Sequence, residues 1–81
     1  MTVVEFTEYL VKSLVKEPDL VKVSEFQAEE EVTILEIMVP ESEMGRVIGK
    51  NGKNSTSIRT LIQAFAAVNN MPKVKINIDA F

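Results

Sequence analysis

Eighty-one residues with a net charge of −3, no cysteine and no histidine make one small domain without a disulfide framework, a thiolate nucleophile or an imidazole base or ligand. The longest apolar runs are a few residues, far short of a membrane span, and Met1-Thr2-Val3-Val4-Glu5 lacks the basic and apolar stretches of a leader, so a cytoplasmic chain is expected. Residues 1–43 carry eleven carboxylates against three lysines, whereas residues 44–81 carry six cations against Asp79 alone, a division that would turn the basic half toward a polyanion.

In chain order, Thr2-Val3-Val4-Glu5 forms a capping box. Phe6, Leu10 and Leu14, widened by Val3, Val11 and Val15, recur at helical spacing, and the helix is predicted to run to about Glu17, where Pro18 stops it. Val21–Ala28 reads as a strand through Val21, Val23 and Phe26, and Val32–Val39 as a second one rich in β-branched residues. The short Glu29-Glu30-Glu31 link makes them an antiparallel hairpin. Three adjacent carboxylates on a turn point in different directions, so they are read as a solvated tip and not as a metal or acid–base cluster.

Pro40 ends the strand, and Ser42 is placed to cap a short helix from about Glu43 to Ile48. A longer helix is predicted over Lys53–Asn69, with Ile58, Leu61, Ile62, Phe65 and Val68 on it, ended by Asn69-Asn70-Met71-Pro72. Lys73 to Ile78 alternates, with Val74, Ile76 and Ile78 on one side and Lys73, Lys75 and Asn77 on the other, as in a half-buried strand. The order is α-β-β-α-α-β. Two helices join the second and third strands, so these should be parallel. The expectation is an α+β fold over residues 1–81, a three-stranded mixed sheet with its helices on one face.

The chemistry concentrates in Gly45-Arg46-Val47-Ile48-Gly49-Lys50-Asn51-Gly52-Lys53. Gly49 and Gly52 admit positive φ and a close backbone approach, Asn51-Gly52 is a turn signal, and a helix begins at once. A helix N-terminus favours an anion, and a Gly-x-x-Gly turn between helices suits a phosphodiester chain. A nucleotide-binding phosphate loop does not fit: Gly45-x-x-x-Gly49-Lys50 is one residue short, and Asn51 stands where a hydroxyl should hold magnesium. Ser55-Thr56-Ser57 has no base to activate it and is read as helix-start polarity that backs the loop. The sequon Asn54-Ser55-Thr56 has no meaning in a cytoplasmic chain. Neither an enzyme nor a cofactor is expected.

Val47-Ile48-Gly49-Lys50-Asn51-Gly52-Lys53 followed by Ile58-Arg59 resembles the core signature of KH domains, and the element order is similar to their type II arrangement. Chain length and the run Gly45–Lys50 are similar to the small bacterial single-KH RNA-binding proteins of the KhpA type. The resemblance implies single-stranded RNA, its backbone clamped by Gly49, Lys50, Asn51 and Gly52. It implies that Val47 and Ile48 line the apolar side of the groove and that Arg46, Lys53 and Arg59 add charge. It also implies a role as RNA chaperone or post-transcriptional regulator linked to cell division and envelope growth, self-association, and a larger Jag-type KH partner. An interaction module that keeps the fold without using RNA is the alternative.

The long helix carries more apolar surface than one interface needs. Ile58, Ile62 and Phe65 suffice for the sheet, while Leu61, Ala64 and Val68 continue into an adjoining sector. Small Ala64 and Ala67 would admit a second helix, so a symmetric homodimer through this helix is expected.

Overall fold

A computed structural model describes residues 1–81. Helix α1 spans Val3–Lys12, strands β1 and β2 Lys22–Glu29 and Val32–Val39, helices α2 and α3 Met44–Ile48 and Lys53–Val68, and strand β3 Lys73–Ala80. The sheet order is β1-β2-β3, antiparallel between β1 and β2 and parallel between β2 and β3. The α-β-β-α-α-β order and the mixed sheet are those expected.

Alternation along β2 sets the two sides of the sheet. Thr33, Leu35, Ile37 and Val39 are buried under the helices, joined by Val74 and Ile76 of β3. Against them pack Val3 and Val11 of α1, Val47 of α2, and Ile58, Ile62 and Ala66 of α3. Phe6 and Phe65 stack with ring centroids 4.7 Å apart and tie α1 to α3. The other face is uncovered. Its cross-strand rows include Phe26, Ile34 and Lys75, then Ser24, Glu36 and Asn77. On this face the neighbouring Asp79 carboxyl, with some desolvation, pushes the Glu36 carboxyl up from its ordinary value.

Thr2 and Glu5 form the expected capping box, with reciprocal bonds of 3.1 and 2.8 Å. The Thr2 backbone N–H holds the Glu5 carboxyl below its ordinary value. Helix α1, however, stops at Lys12, five residues before the predicted end near Glu17. The amides of Lys16 and Glu17 do not continue the helix but donate to the Glu43 carboxylate at 2.9 and 2.8 Å. A distant acceptor therefore overrides local helical spacing.

The predicted Ser42 cap is also absent. A 3₁₀ turn over Glu41–Glu43 leads into α2, which has no side-chain cap. Strand β3 runs two residues past Ile78 because Phe81 prolongs the ladder: its N–H donates to the Val39 carbonyl at 3.0 Å, and its carbonyl accepts from Glu41 at 3.2 Å. Helix α3 ends in a Schellman motif, with Asn70 at φ 58° and the Met71 N–H on the Ala66 carbonyl at 2.9 Å.

Candidate nucleic-acid interface

The Gly49–Gly52 turn joins α2 to α3 through three residues of positive φ. Gly49 stands at φ 76°, Asn51 at 57° and Gly52 at 74°. Asparagine is among the few residues besides glycine that adopt this region readily. At Gly49 the need for glycine is twofold. A Cβ there would lie 2.7 Å from Asn54 Cγ and 2.9 Å from the Asn54 backbone nitrogen, closer than packing permits. Gly45, by contrast, lies within α2 at an exposed position where a Cβ would meet nothing.

Side chains from α3 hold the turn from behind. Asn54 Nδ2 donates to the Arg46 carbonyl at 2.8 Å, and Ser55 Oγ donates to the Gly52 carbonyl at 3.0 Å. Backbone bonds from Gly49 to Gly45 and from Gly52 to Gly49 close it further, at 2.9 and 3.1 Å. The backing expected of the serine cluster is thus supplied by Ser55. The role of Asn54 was not legible: only the close approach at Gly49 shows that a short amide must occupy that position. No side chain caps α3, so its first amides border the same turn.

The predicted site residues fall into three groups. Lys50, Asn51 and Lys53 are exposed on the turn, and Arg46 stands beside it with its Nε held by Glu43 at 3.1 Å. Ile48 is open to solvent at 37% exposure, whereas Val47 is 0% exposed and packs in the core. Val47 therefore supports the turn from beneath and does not line a groove, a correction that follows from the direction α2 turns it. Arg59 is directed to the sheet edge, where its guanidinium donates to the Ile76 carbonyl. One turn later Gln63 donates to the Val74 carbonyl at 2.8 Å. Helix α3 is thus clasped to β3, and the Arg59 charge sits at that edge.

On the outer side of α3, Leu61 is 46% and Val68 80% exposed, and Ala64 is exposed between them. Leu61 also borders a shallow depression of about 140 Å³ with Leu10, Leu14 and Ile58. No helix is long and apolar enough to cross a membrane.

Residues 4–78 match the family model described as KhpA/KhpB, KH domain. The RNA-binding protein KhpA of Clostridium acetobutylicum is 45% identical over 74 residues, covering 91% of this chain and 96% of that protein. KhpA of Borreliella burgdorferi is 43% identical over 67 residues, covering 83% of this chain and 80% of its own. Among solved structures, Era in complex with MgGDPNP and a segment of 16S ribosomal RNA aligns over 98% of this chain with a TM-score of 0.69. At 19% identity over 30% of that longer chain, the likeness is one of fold. With the α-β-β-α-α-β order, the Gly-x-x-Gly turn and relatives at this identity over most of its length, the chain belongs to the KhpA/KhpB KH-domain family.

Proposed function

We propose that this chain binds single-stranded RNA at the Gly49–Gly52 turn. The RNA backbone passes over the positive-φ turn, where Lys50, Lys53 and Arg46 meet phosphates and Ile48 offers an apolar contact. The observation that carries the reading is the turn itself: a glycine at positive φ where any Cβ would meet Asn54, held from behind, with its cations exposed. The naming of its relatives as RNA-binding proteins supports it. Post-transcriptional regulation or RNA chaperoning linked to cell division and envelope growth is the corresponding cellular role. No catalytic role is proposed.

Changing Lys50 and Asn51 both to Asp places two negative charges where phosphate should lie. Stability should move by about 0.5 kcal/mol or less, since both positions are exposed. Binding to single-stranded RNA should fall to background in a polarisation titration. A folded double variant that binds like its parent places the site elsewhere.

Self-association through α3 is the second part of the reading, supported by the exposure of Leu61, Ala64 and Val68 along one stripe. Two copies of the stripe about a twofold axis would cover one another, and a larger Jag-type KH protein could take the same face. Leu61→Glu sets two like charges near that axis. Light scattering should then report a folded monomer. An unmodified chain that is already monomeric removes the dimer, and an unfolded variant assigns Leu61 to the core.

A further inference from the structure

Glu43 is the one charged side chain among the buried residues, at 4% exposure. An ionised carboxylate survives such surroundings only when its lone pairs are taken up. One oxygen accepts the backbone N–H groups of Lys16 and Glu17, and the other accepts from Arg46 Nε. The bonds to Lys16 and Glu17 fasten the segment that follows α1. The third reaches the side chain of Arg46, which flanks the turn.

Arg46 is held at both ends. Asn54 bonds its carbonyl and Glu43 bonds its Nε, which leaves both Nη groups without a partner in the chain. Its side chain is 43% exposed, at the rim of a depression of about 250 Å³ that Lys16, Glu17, Ser42 and Glu43 also line. An unheld arginine must give up much rotamer freedom to meet a phosphate; one fixed at Nε has already done so. The fork that remains is the geometry that takes phosphate oxygens in pairs.

We propose that Glu43 is a positioning residue for RNA: it fixes the Arg46 guanidinium beside the Gly49–Gly52 turn, so that a buried negative charge raises affinity for a polyanion. The inference rests on the RNA-binding reading above. It differs in sign from plain electrostatics, in which removing a carboxylate from an acidic chain strengthens binding. It differs also from a purely structural role, in which Glu43 only fastens the α1–β1 connection and the folded protein binds as before.

The test titrates a pool of short fluorescein-labelled RNAs of randomised sequence against the full chain, its Glu43→Gln and Arg46→Ala variants and the double variant, at several salt concentrations. Glu43→Gln should weaken binding about three- to tenfold and should add no further loss in the Arg46→Ala background. The log–log salt slope should become shallower by about 0.7, the value of one phosphate contact on a single strand. Affinity equal to or above the parent's overturns the proposal, as does a loss that persists without Arg46. Should Glu43→Gln fail to fold, Glu43→Asp keeps the buried charge and shortens its reach to Arg46 Nε: weakened binding that disappears in the Arg46→Ala background supports positioning, and parental binding overturns it. An unmodified chain that does not bind the pool defeats the functional reading itself, before any variant is compared.

Discussion

The chain contains two tight turns that use the same backbone device to opposite ends. The hairpin tip Glu30-Glu31 and the α2–α3 turn each place a residue other than glycine in the left-handed region, Glu31 at φ 67° and Asn51 at φ 57°. The hairpin tip is acidic and joins two strands that pair from Lys22 with Met38 to Glu29 with Val32 across one bulge, with one local side-chain bond, from Gln27 to the Glu29 carbonyl. The α2–α3 turn is basic and is gripped by Asn54 and Ser55 of α3, with Glu43 on the Arg46 side chain. A turn conformation by itself only reverses the chain. What sets the second one apart, and suits it to the proposed binding, is that neighbouring elements grip it while its cations stay exposed.

The strongest way to break this contrast is Gly49→Ala. Positive φ and the Asn54 approach act together, so the variant should lose about 1 to 3 kcal/mol in chemical denaturation, and RNA binding with it. Parental stability would mean that Asn54 can yield and that the turn is not rigid. The matching change at the hairpin has the opposite sign. Glu31→Gly relieves a left-handed glutamate and should stabilise the chain by up to about 1 kcal/mol, with RNA affinity unmoved. A change in affinity there would make the hairpin tip part of the site.

The smallest effect separates the turns from the fold as a whole. Glu36 lies in the sheet, and its carboxyl is raised by Asp79. Its ionised form opposes folding, and that opposition is relieved as pH falls through its raised value. Glu36→Gln should thus raise the melting temperature slightly at neutral pH and bring no gain in acid, with RNA binding unchanged at neutral pH. Glu5 runs the other way: its lowered carboxyl stabilises α1 above the ordinary glutamate range, and this is lost as pH falls through the lowered value. A gain from Glu36→Gln that ignores pH would trace to something other than the Asp79 contact.

Much of this was legible in local pattern. Strand β2 lies where its alternation puts it, and the Thr2–Glu5 box and the start of α3 at Lys53 follow from short-range chemistry. The misreadings share one cause, which is partners far away in sequence. Lys16 and Glu17, read as the end of α1, lie beyond it and give their amides to Glu43, 26 residues past Glu17. Val47 and Ile48 are adjacent apolar residues, and only the packing of α2 decides that one is core and the other surface. Asn54 appeared as an idle sequon because nothing in its local sequence shows the carbonyl of Arg46 above it.

The clasp between α3 and β3 bears on how the protein behaves at high concentration. An edge strand with vacant carbonyls invites a strand from another molecule, the first step toward indefinite growth of the sheet. In β3 the carbonyls of Val74 and Ile76 are engaged by Gln63 and Arg59, while β1 on the far edge carries a bulge between Gln27 and Glu29 and several charges. Both borders of the sheet are thus poor templates for backbone pairing. Copies of this chain brought to high concentration would meet without their sheets fusing, so crowding would stay reversible.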